Sequence, residues 1–435
     1  MFAHNERLDK MADYQRSQRR EQEEYGRSNK KKKHWLRRIS ISLLVLILVL
    51  AGGLFYLYSN AQHSLKKTYI TTKGTTSTIQ ADKPLTLLLM GVDTGGAGRG
   101  DANSWDGNSD SQIVITLNPK TKTTTMVSME RDTMTNILNN SNNIVSTQKM
   151  NAAYPAGYNA SGISGAVEYA MNTIGEQSGL KINNFLVMNM DGLVNLVNDV
   201  GGINVVNDSG STITIANTEP EYTATVPYIG AGKSQHINGE QALVFSRDRD
   251  TLPNGDYGRT AHQREVIEQV LQKMLSLNSV LKYQKFLNDI SADFKTNISV
   301  SASNIAALSN YKDCFDKVVS IQYQGIGETA AGSDGLSASY QFMPNNVDLA
   351  VQNVMRTSIG ESAITTLNSN MITYESYFDT TPDTYFMPSV TVTEKGKTGT
   401  TVYGVNTDGS LVGITSNNAG EYVSTTGSAV SNGSQ

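Results

Sequence analysis

The chain has a single cysteine, Cys314, in 435 residues. No intramolecular disulfide can form, so a disulfide-stapled fold is excluded, and Cys314 reads as a small buried apolar residue. Arginine is almost as sparse. Past residue 58 there are only seven: Arg99, Arg131, Arg247, Arg249, Arg259, Arg264 and Arg356. GxSxG and GxxxxGK[ST] patterns are missing where a catalytic serine or a phosphate loop would need them. His262 has no histidine or cysteine beside it, which argues against zinc. No internal repeat stands out.

Charge is present but unevenly spread. The net charge is −4; residues 1–38 carry 12 Lys+Arg against 6 Asp+Glu, leaving 24 against 34 for the remainder. The acidic bulk argues against non-specific nucleic-acid binding, so no nucleic-acid partner is expected. Ile39 to Tyr58 is an uncharged run of 20 residues, enough to cross ~30 Å of hydrocarbon as a helix. Lys31-Lys-Lys-His-Trp-Leu-Arg-Arg38 precedes it, so the positive-inside rule puts the N-terminus in the cytoplasm and the chain beyond about residue 60 outside. A secretory signal peptide is the competing reading, disfavoured by the long run and the lack of a small-x-small site close behind. A disulfide-free exported domain points to a bacterial cell envelope rather than a eukaryotic secretory route.

The expected organisation is a basic, largely disordered cytoplasmic tail (1–38), a transmembrane helix (39–58), a Thr/Ser/Lys linker (59–83), an α/β domain (84–358) and a flexible Thr/Ser/Asn/Gly-rich tail (359–435). Local β structure is expected around Ser389–Val392 at most. Within the domain, Pro84–Gly91 reads as a buried strand, and Gln112–Leu117 with Thr123–Met129 as a hairpin turning at Asn118–Lys122. Phe185–Met188, Ile203–Val206, Val318–Tyr323 and Ala338–Met343 read as further strands. Helical spacing appears at Ser164–Ile174, from Asp191 to a left-handed stop at Gly201-Gly202, and at Arg259–Leu277, Asn278–Phe294, Ser301–Phe315 and Asn345–Arg356. Strands interleaved with helices predict a mixed sheet with helices on both faces.

Four of the seven arginines crowd into Arg247–Arg264. Guanidinium forks meet phosphate oxygens with two parallel donors, so the cluster reads as a polyanion site. An extended backbone would aim Arg247 and Arg249 the same way, and Arg259 and Gln263 lie one helical turn apart. A solvated salt-bridge network with the intervening aspartates is the plainer alternative. Asp93, ending the first strand, and Asp110, after a glycine-rich loop, make a seat for a hard cation, although turn formers also explain both. Arg131 ends the hairpin at the same sheet edge. Lys149 enters a helical stretch, and on sequence alone a solvated surface lysine is the better reading.

Taken in order, TLLLMGVD (86–93), SD (109–110), SQIVITLNPKTKTTTMVSMERD (111–132), KMNAAY (149–154), the block 185–206, INGEQALVFSRDRD (237–250) and GDYGRTAHQREV (255–266) resemble the LytR-CpsA-Psr (LCP) family. The resemblance runs over residues 84–277 and more loosely to about 357. It implies a single extracellular α/β/α domain behind one transmembrane helix, and a phosphotransferase. Such an enzyme moves an anionic or capsular glycopolymer, such as teichoic acid, from a polyprenyl-pyrophosphate carrier to the N-acetylmuramic acid hydroxyl of peptidoglycan. The partners implied are the lipid-linked glycopolymer, peptidoglycan and the membrane. By the same resemblance Asp93 and Asp110 hold Mg²⁺ (or Mn²⁺), Arg131, Arg247, Arg249 and Arg259 grip the pyrophosphate, and Lys149, Asp256 and Gln263 surround it. Asp110 or Asp256 is the candidate base. The chain has Asn108 where the family usually has Arg, Glu130 where it usually has Pro, and a longer loop between Asp93 and Asp110. A lipid-pyrophosphate hydrolase and a non-catalytic envelope receptor are the rival functions. A transcription regulator is disfavoured by the acidic, external domain without a helix-turn-helix.

Overall fold

Leu85–Val92 (β1) is apolar on both faces, and the fold shows why: helices cover the sheet from both sides. The computed structural model describes residue 16 and residues 68–72, 78–94, 101, 104–276, 292–299, 301–383, 387–397, 399–416, 422–424 and 429–430. The segment 39–58 expected to cross a membrane, the tail before it, and most of the helix expected at Asn278–Phe294 lie outside these residues. Among the described residues no helix is long and apolar enough to cross a membrane. Residues 1–63 and 64–435 are separate units, and the second holds everything below.

The elements following β1 are β2 (Ser109–Asn118), β3 (Thr123–Ser128), β4 (Met134–Leu138), β5 (Ile144–Lys149), α1 (Ala153–Ser178), β6 (Asn184–Met188) and α2 (Met190–Asp199). Next come β7 (Ile203–Val206), β8 (Ser234–Ile237), α3 (Gly239–Arg247), α4 (Gly255–Leu275), β9 (Phe294–Thr296) and α5 (Ala302–Leu308). A 3-10 turn at Ser309–Asp316 leads to β10 (Lys317–Gln322), β11 (Ile326–Ala331), β12 (Ser337–Phe342), α6 (Asn345–Ser358) and α7 (Tyr374–Phe378). The last strands are β13 (Ser389–Glu394), β14 (Thr401–Val405), β15 (Leu411–Ser416), β16 (Tyr422–Ser424) and β17 (Ala429–Val430).

The main sheet runs β17-β16-β15-β14-β13-β10-β3-β2-β1-β6-β9. It is mixed: β1 pairs parallel with β6 and β3 with β10, and the other pairs are antiparallel. Period-two alternation divides the core. Leu87, Leu89, Ile113 and Ile115 pack with Leu196, Phe245, Val266 and Val270 of α2, α3 and α4. Leu88, Met90, Val114 and Phe185 face α1 and α6 through Ala166, Ala170, Val347 and Val351. The two layers and the mixed sheet follow the sequence reading.

Several expectations need correction. Ile203–Val206 and Ala338–Met343 are strands, but β7 pairs with β8 and β12 with β11 in two-stranded sheets apart from the main one. Residues 301–315 do not form one helix, because α5 gives way to the 3-10 turn. Of the tail expected to be flexible, the described residues between 389 and 416 carry three strands instead: β13 pairs antiparallel with β10 and extends the sheet, followed by β14 and β15. Val390, Val392 and Val405 are buried in the core beside α6, and buried Asn353 donates to the carbonyls of Ile364 and Thr407 at 2.8 and 2.6 Å. Thr, Ser and Gly composition hid strands whose alternate valines supply all the burial they need.

The α2 stop matches the reading. Gly201 and Gly202 both have positive φ, 77° and 75°, and the Gly202 N–H donates to Val197 O at 2.8 Å. A side chain at 202 would strike the His236 ring 2.4 Å away.

Candidate functional site

Where β1 meets β2 the register slips: Gly91 pairs with Ser111, but Val92 pairs with Ser109. Asp110 is the extra residue of this bulge. A bulge turns a side chain out of strict alternation, and here the neighbours Asp110 and Ser111 line the same cavity of about 440 Å³. Arg131, just past β3, joins them. The α3–α4 corner supplies Ser246, Arg247, Arg249, Asp250, Arg259 and Gln263. Four guanidinium groups therefore line one cavity. Leu89, Val92, Leu193, Ile215, Leu243 and Ile267 give it a large apolar wall as well.

Arg247 is the last residue of α3, so the extended backbone expected at 247–249 begins only at Asp248. Buried Asp248 turns inward and accepts from the amide N–H and hydroxyl of Thr251. It is not paired to arginine, which leaves Arg247 and Arg249 to flank it on the cavity side. Helix α3 starts at a capping box: Asn238 Oδ1 accepts from Gln241 N at 3.0 Å and Gln241 Oε1 from Asn238 N at 3.1 Å. Asn-Gly-Glu-Gln before an apolar run is a legible helix signal, and it fixes the position of Arg247.

The partners of each charged group define the site. Arg247 Nη2 donates to Glu219 Oε1 at 2.6 Å and Nη1 to Met190 Sδ at 3.3 Å. Arg249 is more than half exposed and only 3.8 Å from Asp250 Oδ1. Arg259 grips Asp256 through Nε and Nη2, both at 2.8 Å. Arg131 Nη1 lies 3.5 Å from Asp110 Oδ2, and Asn151 donates to the other Asp110 oxygen at 3.2 Å. Gln263 joins the layers, accepting from Ser111 Oγ at 3.0 Å and donating to Ser246 O at 3.1 Å. The buried Nε atoms of Arg131 and Arg247 have no hydrogen-bond partner among the described residues.

Burial alone would lower the Arg131 pKa, but Asp110, Asp256, Asp132 and Glu130 more than offset it and raise the value. Burial pushes Asp256 up, yet the Arg259 hydrogen bonds and the charges of Arg259, Arg131 and Arg249 hold it below the usual carboxylate range. Asp256 is thus a clamp for Arg259 and a poor proton acceptor.

Of the residues singled out in the sequence, Asp110, Arg131, Arg247, Arg249, Arg259 and Gln263 share the cavity wall. Lys149 and Asp256 stand outside the lining: Lys149 ends β5 where the chain enters the 3-10 turn Met150–Ala152 and then α1, as expected, and pairs with Asp132 at 2.7 Å. Asp93 follows β1, its N–H donating to Asn108 O at 3.0 Å, beside Val92 but outside the lining. Arg264 turns away and is buried among Ser320, Ser128 and Gln322. Glu219 and Met190 escaped sequence reading. Glu219 sits in the 207–233 loop without pattern, and Met190 looks like any core methionine.

Residues 53–357 match the LytR_cpsA_psr family. The chain is 40% identical over 304 residues to biofilm regulatory protein A of Streptococcus mutans, covering 69% of this chain and 70% of that protein. It is 38% identical over 288 residues to the Enterococcus faecalis polyisoprenyl-teichoic acid–peptidoglycan teichoic acid transferase TagU, covering 66% and 86%. Among solved structures, protein gbs0355 of Streptococcus agalactiae is similar with a TM-score of 0.58 and 43% identity, covering 68% of this chain and 95% of that one. With the family match spanning well over half its length, this chain belongs to the LytR-CpsA-Psr family.

Proposed function

We propose that this protein is a membrane-anchored, extracellular phosphotransferase that moves a glycopolymer from a polyprenyl-pyrophosphate carrier to a peptidoglycan hydroxyl. One observation carries the reading: arginines from three chain segments line the same cavity as a set of apolar side chains, Leu89, Val92, Leu193, Ile215, Leu243 and Ile267 among them. A diphosphate with a long hydrocarbon tail has the same two kinds of surface. The name of the Enterococcus faecalis relative, a teichoic acid transferase acting on peptidoglycan, agrees with it.

In the transfer, the acceptor hydroxyl oxygen attacks the phosphorus that carries the glycopolymer. The new O–P bond forms as the bond to the bridging oxygen breaks, and polyprenyl phosphate leaves. Arg131, Arg247, Arg249 and Arg259 hold the phosphate oxygens and stabilise the charge that builds on the leaving group. Asp110, which lines the cavity, receives the hydroxyl proton; Asp256 stands outside the lining, held by Arg259 through both oxygens. The apolar wall receives the first isoprene units and keeps water from competing.

Among the described residues no group of three His, Cys, Asp or Glu side chains is placed to hold a metal. The donor set, Asp110 with Asp93 at the neighbouring strand end, instead fits Mg²⁺, which takes one or two carboxylates and completes its shell with substrate phosphate and water. When bound there, Mg²⁺ would neutralise diphosphate charge.

The test is an assay with lipid-linked donor, with and without peptidoglycan acceptor. Product that requires the acceptor is expected. Release of polyprenyl phosphate at the same rate in water alone would make the enzyme a hydrolase. Protease treatment of intact cells should remove the domain; protection would overturn the external placement.

A further inference from the structure

Glu130 is an acid in an unlikely place. It lies two residues past the end of β3, is only 5% exposed, and immediately precedes Arg131 of the cavity wall. Its carbonyl anchors a turn, accepting from Thr133 N and Oγ1 at 3.1 and 2.7 Å. Its carboxyl receives only a long contact, 3.4 Å from Asp132 N.

The charges around it explain what this acid can do. Within electrostatic reach of it are Asp132 and Arg131 of its own segment, Asp256, Tyr257 and Arg259 of α4, and Tyr323 beyond β10. Lys149 of β5 stands behind Asp132. The cations Arg131, Arg259 and Lys149 are already matched by Asp110, Asp132 and Asp256. An ionised Glu130 makes this network net negative, at the wall where a diphosphate has to bind. A neutral Glu130 leaves the guanidinium groups free of that competitor. Burial, reinforced by Asp256 and Asp132, pushes the Glu130 carboxyl up to about 7 even against the pull of Arg259.

We propose that Glu130 is a positioning residue that couples anion binding to proton uptake: the acid is neutral while a diphosphate occupies the arginine wall and ionises when the wall is empty above neutral pH. The inference rests on the phosphate-site reading and deepens it. It gives the donor site a built-in preference for the acid side of neutrality. Glu130 does not line the cavity, so it acts through Arg131 and Arg259.

The experiment is calorimetric titration of the full-length protein with inorganic pyrophosphate at pH 8, at fixed magnesium, in buffers of differing ionisation enthalpy. Wild type is expected to take up about half a proton or more per pyrophosphate beyond the uptake by Glu130→Gln, because a bound dianion raises the proton affinity of a group otherwise largely ionised at that pH. Equal uptake by both proteins would overturn the proposal while leaving the anion site intact. No binding by either would sink the phosphate-site reading itself. Should Glu130→Gln not fold, wild type alone decides: its ¹³C-labelled Glu130 carboxyl should titrate at higher pH with pyrophosphate present, and an unmoved midpoint refutes the coupling.

Discussion

Arg247 Nη2 and Glu219 Oε1 meet at 2.6 Å inside the cavity, both side chains less than one-fifth exposed. One guanidinium of the cavity wall is therefore already engaged, by a carboxylate on the 207–233 loop. Tyr222 of the same loop lies against its face, 6.0 Å from ring centre to guanidinium carbon. An incoming diphosphate must displace or share this contact. Glu219→Gln removes the charge but keeps the shape. It is expected to bind inorganic pyrophosphate about tenfold more tightly, equivalent to ~1.4 kcal/mol. Titration calorimetry reads this directly, and weaker binding would recast Glu219 as the residue that orients Arg247.

Arg247→Ala and Arg259→Ala are expected to lower kcat/KM for glycopolymer transfer by about 10²–10³, the usual loss when one donor to a developing oxyanion is removed. Arg249, more exposed and held only loosely by Asp250, should cost less, roughly tenfold, because water competes for its phosphate contact. Steady-state rates with lipid-linked donor separate the three. Equal losses for all would mean that Arg249 closes over the substrate when it binds.

Arg264 belongs to the same sequence cluster but makes a different contribution. Its Nε, Nη1 and Nη2 donate to Ser320 Oγ, Ser128 Oγ and Gln322 Oε1 at 2.6, 2.8 and 3.2 Å, bracing α4 against β3 and β10. Burial pulls the guanidinium down to about 10. Arg264→Ala strands these three partners in the interior and should destabilise the fold by about 2–4 kcal/mol. Thermal melting will show it; an unchanged melting temperature with lost transfer would move Arg264 into the site.

These contrasts mark what a sequence can disclose. The buried run 85–92, the hairpin after it and the arginine crowding were legible because each is local, as period, turn chemistry or composition. Which arginines face the cavity was not, because Arg247, Arg249 and Arg259 line it while Arg264, little more than a turn beyond Arg259 on α4, points into the core. Glu219 and Lys149 took their roles from partners 28 and 17 residues away. Asp110 needed a bulge that no residue type announces. The strands after 389 were hidden because polar Thr and Ser fill their exposed positions, while only Val390 and Val392 of β13 turn inward.

On the far face of the sheet, Asp348 is fully buried. Its Oδ1 accepts from Tyr323 Oη and from Gln177 Nε2, and Oδ2 has no hydrogen-bond partner among the described residues. Burial pushes its carboxyl up to about 7 against the pull of those two bonds. Between about pH 4 and pH 7 the folded protein then holds a proton that the unfolded chain has lost, so stability falls as pH rises through that window. Glu130, Glu265 and Glu268 are raised similarly, so only a variant isolates the one group. Asp348→Asn, neutral at every pH, should melt higher than wild type at pH 8, by less at pH 5, and close to it at pH 4. A shift of the same size at all three would show packing, not ionisation, at work.

The apolar part of the cavity makes the sharpest separation between a diphosphate site and a lipid-diphosphate site. Leu193, on α2, is partly exposed and lines it with Ile215 and Leu243, while the arginines lie on other segments. Leu193→Trp adds a ring to the wall without touching the charge network, so contacts to inorganic pyrophosphate should survive. A long prenyl chain loses both room and buried area, at ~25 cal/mol for each Å² that stays in water. The expected result is an unchanged Kd for pyrophosphate with at least tenfold weaker binding of a long-chain polyprenyl pyrophosphate, a ten-carbon analogue falling between. Equal weakening of all three would mean the tryptophan has distorted the phosphate end. Undiminished long-chain binding would place the lipid somewhere other than this cavity.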